Sequence, residues 1–304
     1  MHSEEPAFQP GTNHSDSRVR TVFEQVWSPT QHLALWLAAW VSGNATSDDV
    51  SWALQQFAEN HQLDRQDLAP DHVWYQTTDL QPLTRLELLT RIRQCYTDWN
   101  ESSAPLDKSP ARDPFPVRLI LSGPGDPPRL PAGSKAAQLA GLSGSAIVFA
   151  CGTTAVGSSD PAFSALIPPV QQNQPWTWVE DIGVLPDSDY LSPGAADLLL
   201  ADATRLAASQ IDLTGADVSG TIPNPRLLVG TLQDHMDLAY IPDTVPQRSA
   251  RLFARADTVA AILTAAGHDE FSAYDPQLFP LWRPIRQARI AAFEYALTQW
   301  FELD

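Results

Sequence analysis

The chain has 304 residues, 43% of them hydrophobic and ten of them tryptophan, so it has enough apolar material for one large or two packed domains and is not wholly disordered. Its formal net charge is −17, and its only lysines are Lys108 and Lys135. Nucleic acid and anionic membranes need clustered basic charge, so we expect neither as a partner. The longest apolar run, residues 33–41, is far shorter than the roughly 20 residues of a membrane-spanning helix.

The N-terminal sequence and the cysteine content predict a cytoplasmic protein. Residues 1–8 (MHSEEPAF) carry acidic side chains where a secretory signal carries basic ones, and no apolar segment follows them. Cys95 and Cys151 are too few for a disulfide framework or a four-cysteine zinc site. We therefore expect both thiols to be reduced, with Cys95 as a small core residue.

The first third of the chain is predicted to be helical. Residues 1–16 are polar and aperiodic, which indicates a disordered arm, and residues 17–104 form the helical region. Ser47 is a good N-cap, and the two acids after it suit the start of a helix. The apolar periodicity predicts helices at 19–27, 31–41, 48–59 and 83–99.

A region of short strands follows at 113–190. Four prolines between 101 and 116 mark a linker, after which apolar residues alternate in VRLIL and run into the turn sequence SGPGDPP. Helix-length crossovers are scarce, so the sheet is expected to be small and antiparallel or mixed. The strands are predicted at 117–121, 146–150, 163–167 and 176–180.

The apolar spacing returns to a helical period in residues 191–304. The sequence predicts an amphipathic helix that begins at Ser192 and Pro193, and a long last helix packed through alanines. The fold class is therefore α+β, with helical N- and C-terminal parts around a sheet, and we expect 113–304 to pack as one unit. The helices of this region are predicted at 193–211, 226–238, 247–266 and 280–301.

The sequence contains no motif that predicts a catalytic or metal site. Histidines are scattered, and no pair has metal-ligand spacing. Residues 141–145 (GLSGS) lack the pattern of a nucleophilic serine turn, and residues 133–137 (GSKAA) lack the upstream glycine of a phosphate loop. His268, Asp269 and Glu270 follow a predicted helix end, where a charged loop is a commoner outcome than a metal or catalytic site. We therefore expect no cofactor.

Four residues are candidates for ligand binding. Asp126 lies in the unusual turn GPGDPPRLP, where it can also accept bonds from the turn's own amides. Arg289 falls in the apolar arc of the last helix, so it must form an internal ion pair or bind an anion. Trp176 and Trp178 lie among polar residues, where aromatic side chains can line a cleft, although core positions are the commoner outcome.

Several segments from residue 117 onward resemble an actinobacterial protein family whose activity is not established. They are the VRLIL strand running into Pro124, Gly125 and Asp126; the strands ending in WTWVED; LSPGAADLLLADATRLAA; VPQRSARLFARADTVAAIL; and PLWRPIRQARIAAFEYAL. This resemblance implies an intracellular bacterial protein and supplies no catalytic residues.

The sequence is consistent with two functions. The first is a non-enzymatic interaction or regulatory protein that binds a protein partner or a second copy of itself, because its helices carry more apolar surface than a small sheet covers. The second is a small-molecule-binding protein, or an enzyme of unfamiliar type, with a pocket between the sheet and the C-terminal helices. Substitution of Arg289 by Leu would separate a buried ion pair from a ligand site.

Overall fold

The computed structural model describes residues 28–61, 75–101, 115–123, 125–153, 161–170, 174–186, 191–214, 241–266 and 278–301. The helices are α1 (Pro29–Val41), α2 (Ser47–His61), α3 (Arg85–Glu101), α4 (Lys135–Ser143), α5 (Pro193–Thr214), α6 (Gln247–Ala266) and α7 (Trp282–Trp300), the last entered through a 3-10 turn at Phe279–Leu281. The strands are β1 (Tyr75–Thr77), β2 (Pro82–Leu83), β3 (Val117–Leu121), β4 (Ser145–Thr153), β5 (Pro161–Ile167) and β6 (Trp176–Val179).

The six strands form one mixed sheet in the order β2-β1-β6-β5-β4-β3. The β1–β6 pair is parallel, and the other neighbours are antiparallel. Strand β3 therefore lies at one end of the sheet and pairs only with β4. The α+β class and the mixed sheet predicted from the sequence are confirmed.

Both faces of the sheet are buried. In β4, Ile147 and Phe149 contribute to the larger core with α1, α3 and the C-terminal helices, while Ala146 and Val148 contribute to a second core under α4. Successive strand residues point to opposite faces, so the near-continuous apolar sequence of β4 is that of a central strand covered on both sides.

Helix α1 lies in the middle of the larger core. Its sequence, PTQHLALWLAAWV, is apolar on every side, and twelve of its residues, Thr30 to Val41, are buried. The Ser28 hydroxyl accepts a hydrogen bond from the Gln31 amide, and Pro29 occupies the first turn, where a missing N–H costs nothing. The helix packs against α2, α7 and strands β3 and β4.

Helices α5, α6 and α7 pack against one another, and α7 also contacts β3. The alanine-rich arc predicted for the last helix is buried at Ala288, Ala292 and Ala296. Among the described residues, no helix is both long and apolar enough to cross a membrane.

The structure adds two strands to the predicted set. Both β1 and β2 lie within 17–104, where the sequence analysis finds only helices. They have three and two residues, too few for a period of two to be visible in the sequence. The predicted arm at 1–16, the helices at 19–27 and 226–238, and the loop at His268 lie outside the described residues.

The prediction of two reduced thiols is wrong for this structure, in which Cys95 and Cys151 form a disulfide. Helix α3 packs on β4 and brings the Cα atoms of these residues, which are 56 positions apart, to within 3.8 Å of each other. Cys95 is also buried, as predicted. The bond ties the helical N-terminal part to the sheet.

We expect the Cys151→Ser variant to lose about 2–4 kcal/mol of unfolding free energy, because the open chain has more conformational entropy when unfolded. Urea unfolding without reductant measures the difference. Adding reductant should lower the wild type to the level of the variant and leave the variant unchanged. Two titratable thiols in the denatured, unreduced wild type would contradict the disulfide.

Candidate functional site

A cavity of about 180 Å³ lies between β3 and α7. Strand β3 contributes four consecutive residues to its wall, which means that the cavity faces the edge of the strand, because side chains alone would contribute every second residue. The lining residues are Arg118, Leu119, Ile120, Leu121, Asp126, Arg129, Leu191, Arg283, Arg286, Gln287, Ile290, Ala291 and Glu294.

The α7 residues of the cavity share one face of the helix. They recur at steps of three and four, from Arg283 and Arg286 through Ile290 to Glu294, which is the spacing of neighbours on a helix surface. Arg289 is not among the lining residues and lies at the flank of this face, about 60° from Arg286 and about 100° from Ile290 around the helix axis. The two arginines nearest the start of α7 therefore face the cavity, and Arg289 does not.

The start of α7 has an unusual charge distribution. Its first turn contains no acidic residue and no side chain caps it, although the positive end of a helix dipole favours acids there. Instead, Arg283 and Arg286 add positive charge to this end. Arg283 is exposed at the rim and has no ion-pair partner in the described parts of the chain, whereas Arg286 is buried.

The turn after β3 places Asp126 opposite these arginines. Backbone hydrogen bonds of 2.9 Å join the N–H and C=O groups of Gly123 and Asp126 in both directions, which closes a tight turn. Gly125 has φ +73°, a conformation that glycine adopts without strain. At Gly123, a Cβ atom would lie 2.6 Å from Nη1 of Arg286, so a larger residue there would displace the guanidinium.

Asp126 and Arg286 form an ion pair across 160 residues of sequence. Oδ2 of Asp126 accepts from Nε of Arg286 at 3.3 Å and from Nη2 at 3.2 Å. Charge-assisted bonds are usually about 2.7–2.9 Å long, so this pair is loose. The sequence analysis suggested that Asp126 accepts bonds from the amides of its own turn, but its carboxylate accepts from Arg286 on α7, and its backbone N–H donates to the Gly123 carbonyl.

The structure places Arg289 away from the cavity. Its Nη2 donates to Oδ1 of Asp257 on α6 at 2.7 Å, and both side chains are largely buried. This is the internal ion pair that the sequence analysis offered as one alternative. A buried pair of this kind holds α6 and α7 together, and its disruption would leave an uncompensated charge in the core.

Trp176 and Trp178 also lie elsewhere, on a strand of the sheet with both neighbours present. They are 9% and 2% exposed and belong to the larger core, where Trp178 stacks on Phe149 with ring centroids 5.6 Å apart. Of the four candidates, only Asp126 lines the cavity.

His32 is the centre of a second polar group that the sequence did not single out. Its Nδ1 donates to the Ser28 carbonyl at 2.9 Å, and the ring is buried near the Asp257–Arg289 pair. Burial lowers the pKa of His32, although the Ser28 bond and the Asp257 charge act in the opposite direction. His32 is thus held neutral where α1 meets α6 and α7.

Sequence reasoning missed Arg283 and Arg286 as site residues. The sequence feature that could have identified them is the group of arginines at the start of a helix without a balancing acid, because this pattern opposes the helix dipole. Within the described ranges, no group of three or more His, Cys, Asp or Glu side chains could hold a metal ion.

We expect Gly123→Ala to lower the free energy of unfolding by about 1–3 kcal/mol, because the added methyl group displaces the Arg286 guanidinium from Asp126. Gly141→Ala is the matched control, since no atom lies within 4 Å of its added Cβ and alanine favours helix α4. Urea unfolding compares the two variants. Equal stability of Gly123→Ala and the wild type would show that the guanidinium moves aside without cost and that its contact with Asp126 adds nothing to stability.

The lowered pKa of His32 predicts acid destabilisation. Below a pH of about 6.5 the unfolded chain takes up a proton that the folded protein does not, so stability is greatest above that pH and falls as the pH drops toward the folded-state pKa. The His32→Gln variant should lose this dependence, by at most about 1.4 kcal/mol per pH unit. Unfolding free energies between pH 7.5 and 5 measure it, and parallel curves for the two proteins would contradict the assignment.

Comparison with known proteins identifies the family. The chain is 28% identical over 291 residues to an uncharacterized protein of Mycobacterium tuberculosis (strain CDC 1551 / Oshkosh) and 27% identical over 293 residues to one of Mycobacterium leprae (strain TN). Each match covers 88% of this chain and 96% of the relative. No solved structure matches the chain. Residues 30–186 match the N-terminal domain and residues 194–290 the C-terminal domain of the Rv1486c-like proteins, so the chain belongs to that family.

Proposed function

We propose that this protein binds a small anionic ligand, a carboxylate or phosphate compound, in the cavity between β3 and α7. The single observation that carries the proposal is the charge of the wall, where four arginines stand against two carboxylates in a chain of net charge −17. A cluster of one sign inside a molecule of the opposite sign focuses the local potential on the cavity.

The position of the arginines supports the same reading. Arg283 lies in the first turn of α7, where its positive charge opposes the helix dipole, and Arg286 follows in the next turn beside the cavity. Sequences that break a local rule without a structural gain commonly do so at a functional site. A bound anion would balance both the side-chain charges and the helix dipole.

The loose contact between Arg286 and Asp126 favours a site that can open. Their bonds of 3.2 and 3.3 Å contrast with the 2.7 Å bond that Arg289 makes to Asp257 on the same helix. A guanidinium presents five N–H donors in a fixed plane, so Arg286 can bind a planar carboxylate while it keeps Asp126 as a neighbour. Arg283 at the rim adds a second positive charge.

Segments that match both domains of the family line this cavity. Arg118 and Asp126 lie in the segment that matches the family's N-terminal domain, and Arg283 and Arg286 in the segment that matches its C-terminal domain. The turn PGD and the helix PLWRPIRQAR are also two of the segments on which the resemblance rests. A ligand bound here would touch both domains of the family.

The lining favours binding over covalent catalysis. Among the described residues of the wall, none is a serine, cysteine or histidine, and the acids are Asp126 and Glu294. The volume of about 180 Å³ suits a molecule somewhat larger than benzene, which fits a cavity of about 150 Å³. The interaction role expected from the sequence stays a prediction, with exposed apolar side chains on α5 at Leu198, Leu199 and Leu206 as its structural support.

We expect Arg283→Gln to weaken the binding of acetate and of inorganic phosphate roughly tenfold, because one charge-assisted contact is lost. Arg283 is exposed, so the variant should fold normally. Calorimetric titration at low ionic strength in chloride-free buffer gives the dissociation constants, and added salt should raise them.

Arg205→Gln is the charge-matched control. Arg205 lies on α5, pairs with Asp202, and does not line the cavity. It should bind both anions as the wild type does. If neither anion binds the wild type, or if the two variants weaken binding equally, the cavity is not an anion site.

A further inference from the structure

The open edge of β3 gives the cavity a second property besides its charge. In an antiparallel pair, residues alternate between those that bond to the neighbouring strand and those whose N–H and C=O groups point away from it. Ala150 donates to the Pro116 carbonyl and Ser122 to the Gly144 carbonyl, so the even-numbered residues of this segment bond to β4. The backbone groups of Leu119 and Leu121 therefore point outward.

Both of these leucines line the cavity, and none of the described residues bonds to their outward backbone groups. Unpaired groups at a sheet edge are a template for another extended chain, which adds main-chain bonds to the sheet. The α7 face from Arg283 to Glu294 forms the opposite wall. The cavity is thus a groove between an edge strand and a helix.

The charges of the groove are ordered along β3. Arg286 meets Asp126, which follows the C-terminal end of β3, so the start of α7 lies at that end. Glu294 lies two to three turns further along α7. A carboxylate is favoured near Arg283 and Arg286 and disfavoured near Glu294.

We propose that an extended peptide binds parallel to β3 along this edge, with its C-terminal α-carboxylate held by Arg283 and Arg286. The N–H of its last residue donates to the carbonyl of Leu119, and one carboxylate oxygen accepts from the N–H of Leu121. This is the pattern of a parallel strand, in which one residue bonds to two residues of its neighbour. The inference rests on the proposed anion-binding function and specifies its ligand class.

Size and chemistry agree with this occupant. The outward groups of Leu119 and Leu121 are about 7 Å apart along the strand, which is one residue pair of an extended chain. The volume of about 180 Å³ accommodates a terminal residue and its preceding amide. A peptide terminus is consistent with both functions that the sequence suggested. It is a small ligand, and it can also be the end of a partner protein.

The test compares ligands that differ in one group. The full-length protein is titrated with acetyl-Ala-Ala, with its C-terminal amide, and with the analogue methylated on the nitrogen of the last residue. We expect amidation to weaken binding at least tenfold by removing the charge, and N-methylation to weaken it several-fold to tenfold by removing the bond to Leu119. In protein labelled with ¹⁵N-leucine, the amide signal of Leu121 should shift.

A matched pair of variants tests the protein side. Leu121→Pro removes the outward N–H without removing a bond to β4, because proline is tolerated where a strand N–H faces away from the sheet. Leu121→Ala shortens the same side chain and keeps the N–H. Leu121→Pro should bind acetyl-Ala-Ala roughly tenfold more weakly than Leu121→Ala, because the carboxylate loses its bond from the Leu121 N–H.

Three outcomes separate the two proposals. A large loss on N-methylation supports the edge-strand site, even if Leu121→Pro fails to fold. Equal binding of acetyl-Ala-Ala, its N-methylated analogue and acetate, all weakened by Arg283→Gln, overturns the peptide inference and leaves the anion site in place. Failure of acetate, phosphate and acetyl-Ala-Ala alike to bind overturns both.

Discussion

The open edge of β3 is the constraint on which the architecture depends. The sheet ends at this strand, and an uncovered edge exposes main-chain N–H and C=O groups that pair readily with other chains. Helix α7 lies beside that edge and contacts β3, so the last segment of the chain is bound to the middle of the sequence. Because the helix cannot bond to the strand's backbone, a groove remains where the two meet.

Helix α7 needs its arginines in two different ways. Arg289 is buried against Asp257, and its short bond joins α6 to α7 inside the core. Arg286, about one turn earlier, meets Asp126 through longer bonds beside the groove. Arginine suits both positions because its planar group pairs with carboxylates in a fixed geometry and remains charged when buried. One helix thus carries a structural ion pair and a candidate ligand site.

The two halves of the molecule depend on each other through a few long-range contacts. The disulfide of Cys95 and Cys151 joins α3 to β4, and α1 packs against β3, β4 and α7. His32 on α1 lies beside the Asp257–Arg289 pair. The groove walls come from both domains of the family, so the binding of a ligand there depends on how these domains pack.

Most elements were predictable because periodicity is a local property. The apolar residues of 31–41 predict a helix, and the alternation in VRLIL predicts β3, since the period of apolar residues distinguishes helices from strands. Strands β1 and β2 were not predictable, because segments of two or three residues show no period and are stabilised by their partner strands. The disulfide was missed because two cysteines are too few for a disulfide framework and both were expected to be reduced, whereas their proximity comes from the packing of α3 on β4.

By itself, the sequence determined the α+β class, the acidic charge and the approximate bounds of the longer helices. These properties follow from composition and from contacts between near neighbours in the chain. Only the tertiary structure decided that Trp176 and Trp178 are core residues, that Arg289 is paired, and that Arg283 and Arg286 face Asp126. The physical reason is distance along the chain. Arg286 and Asp126 are 160 residues apart in the sequence, so only folding brings them within hydrogen-bond range.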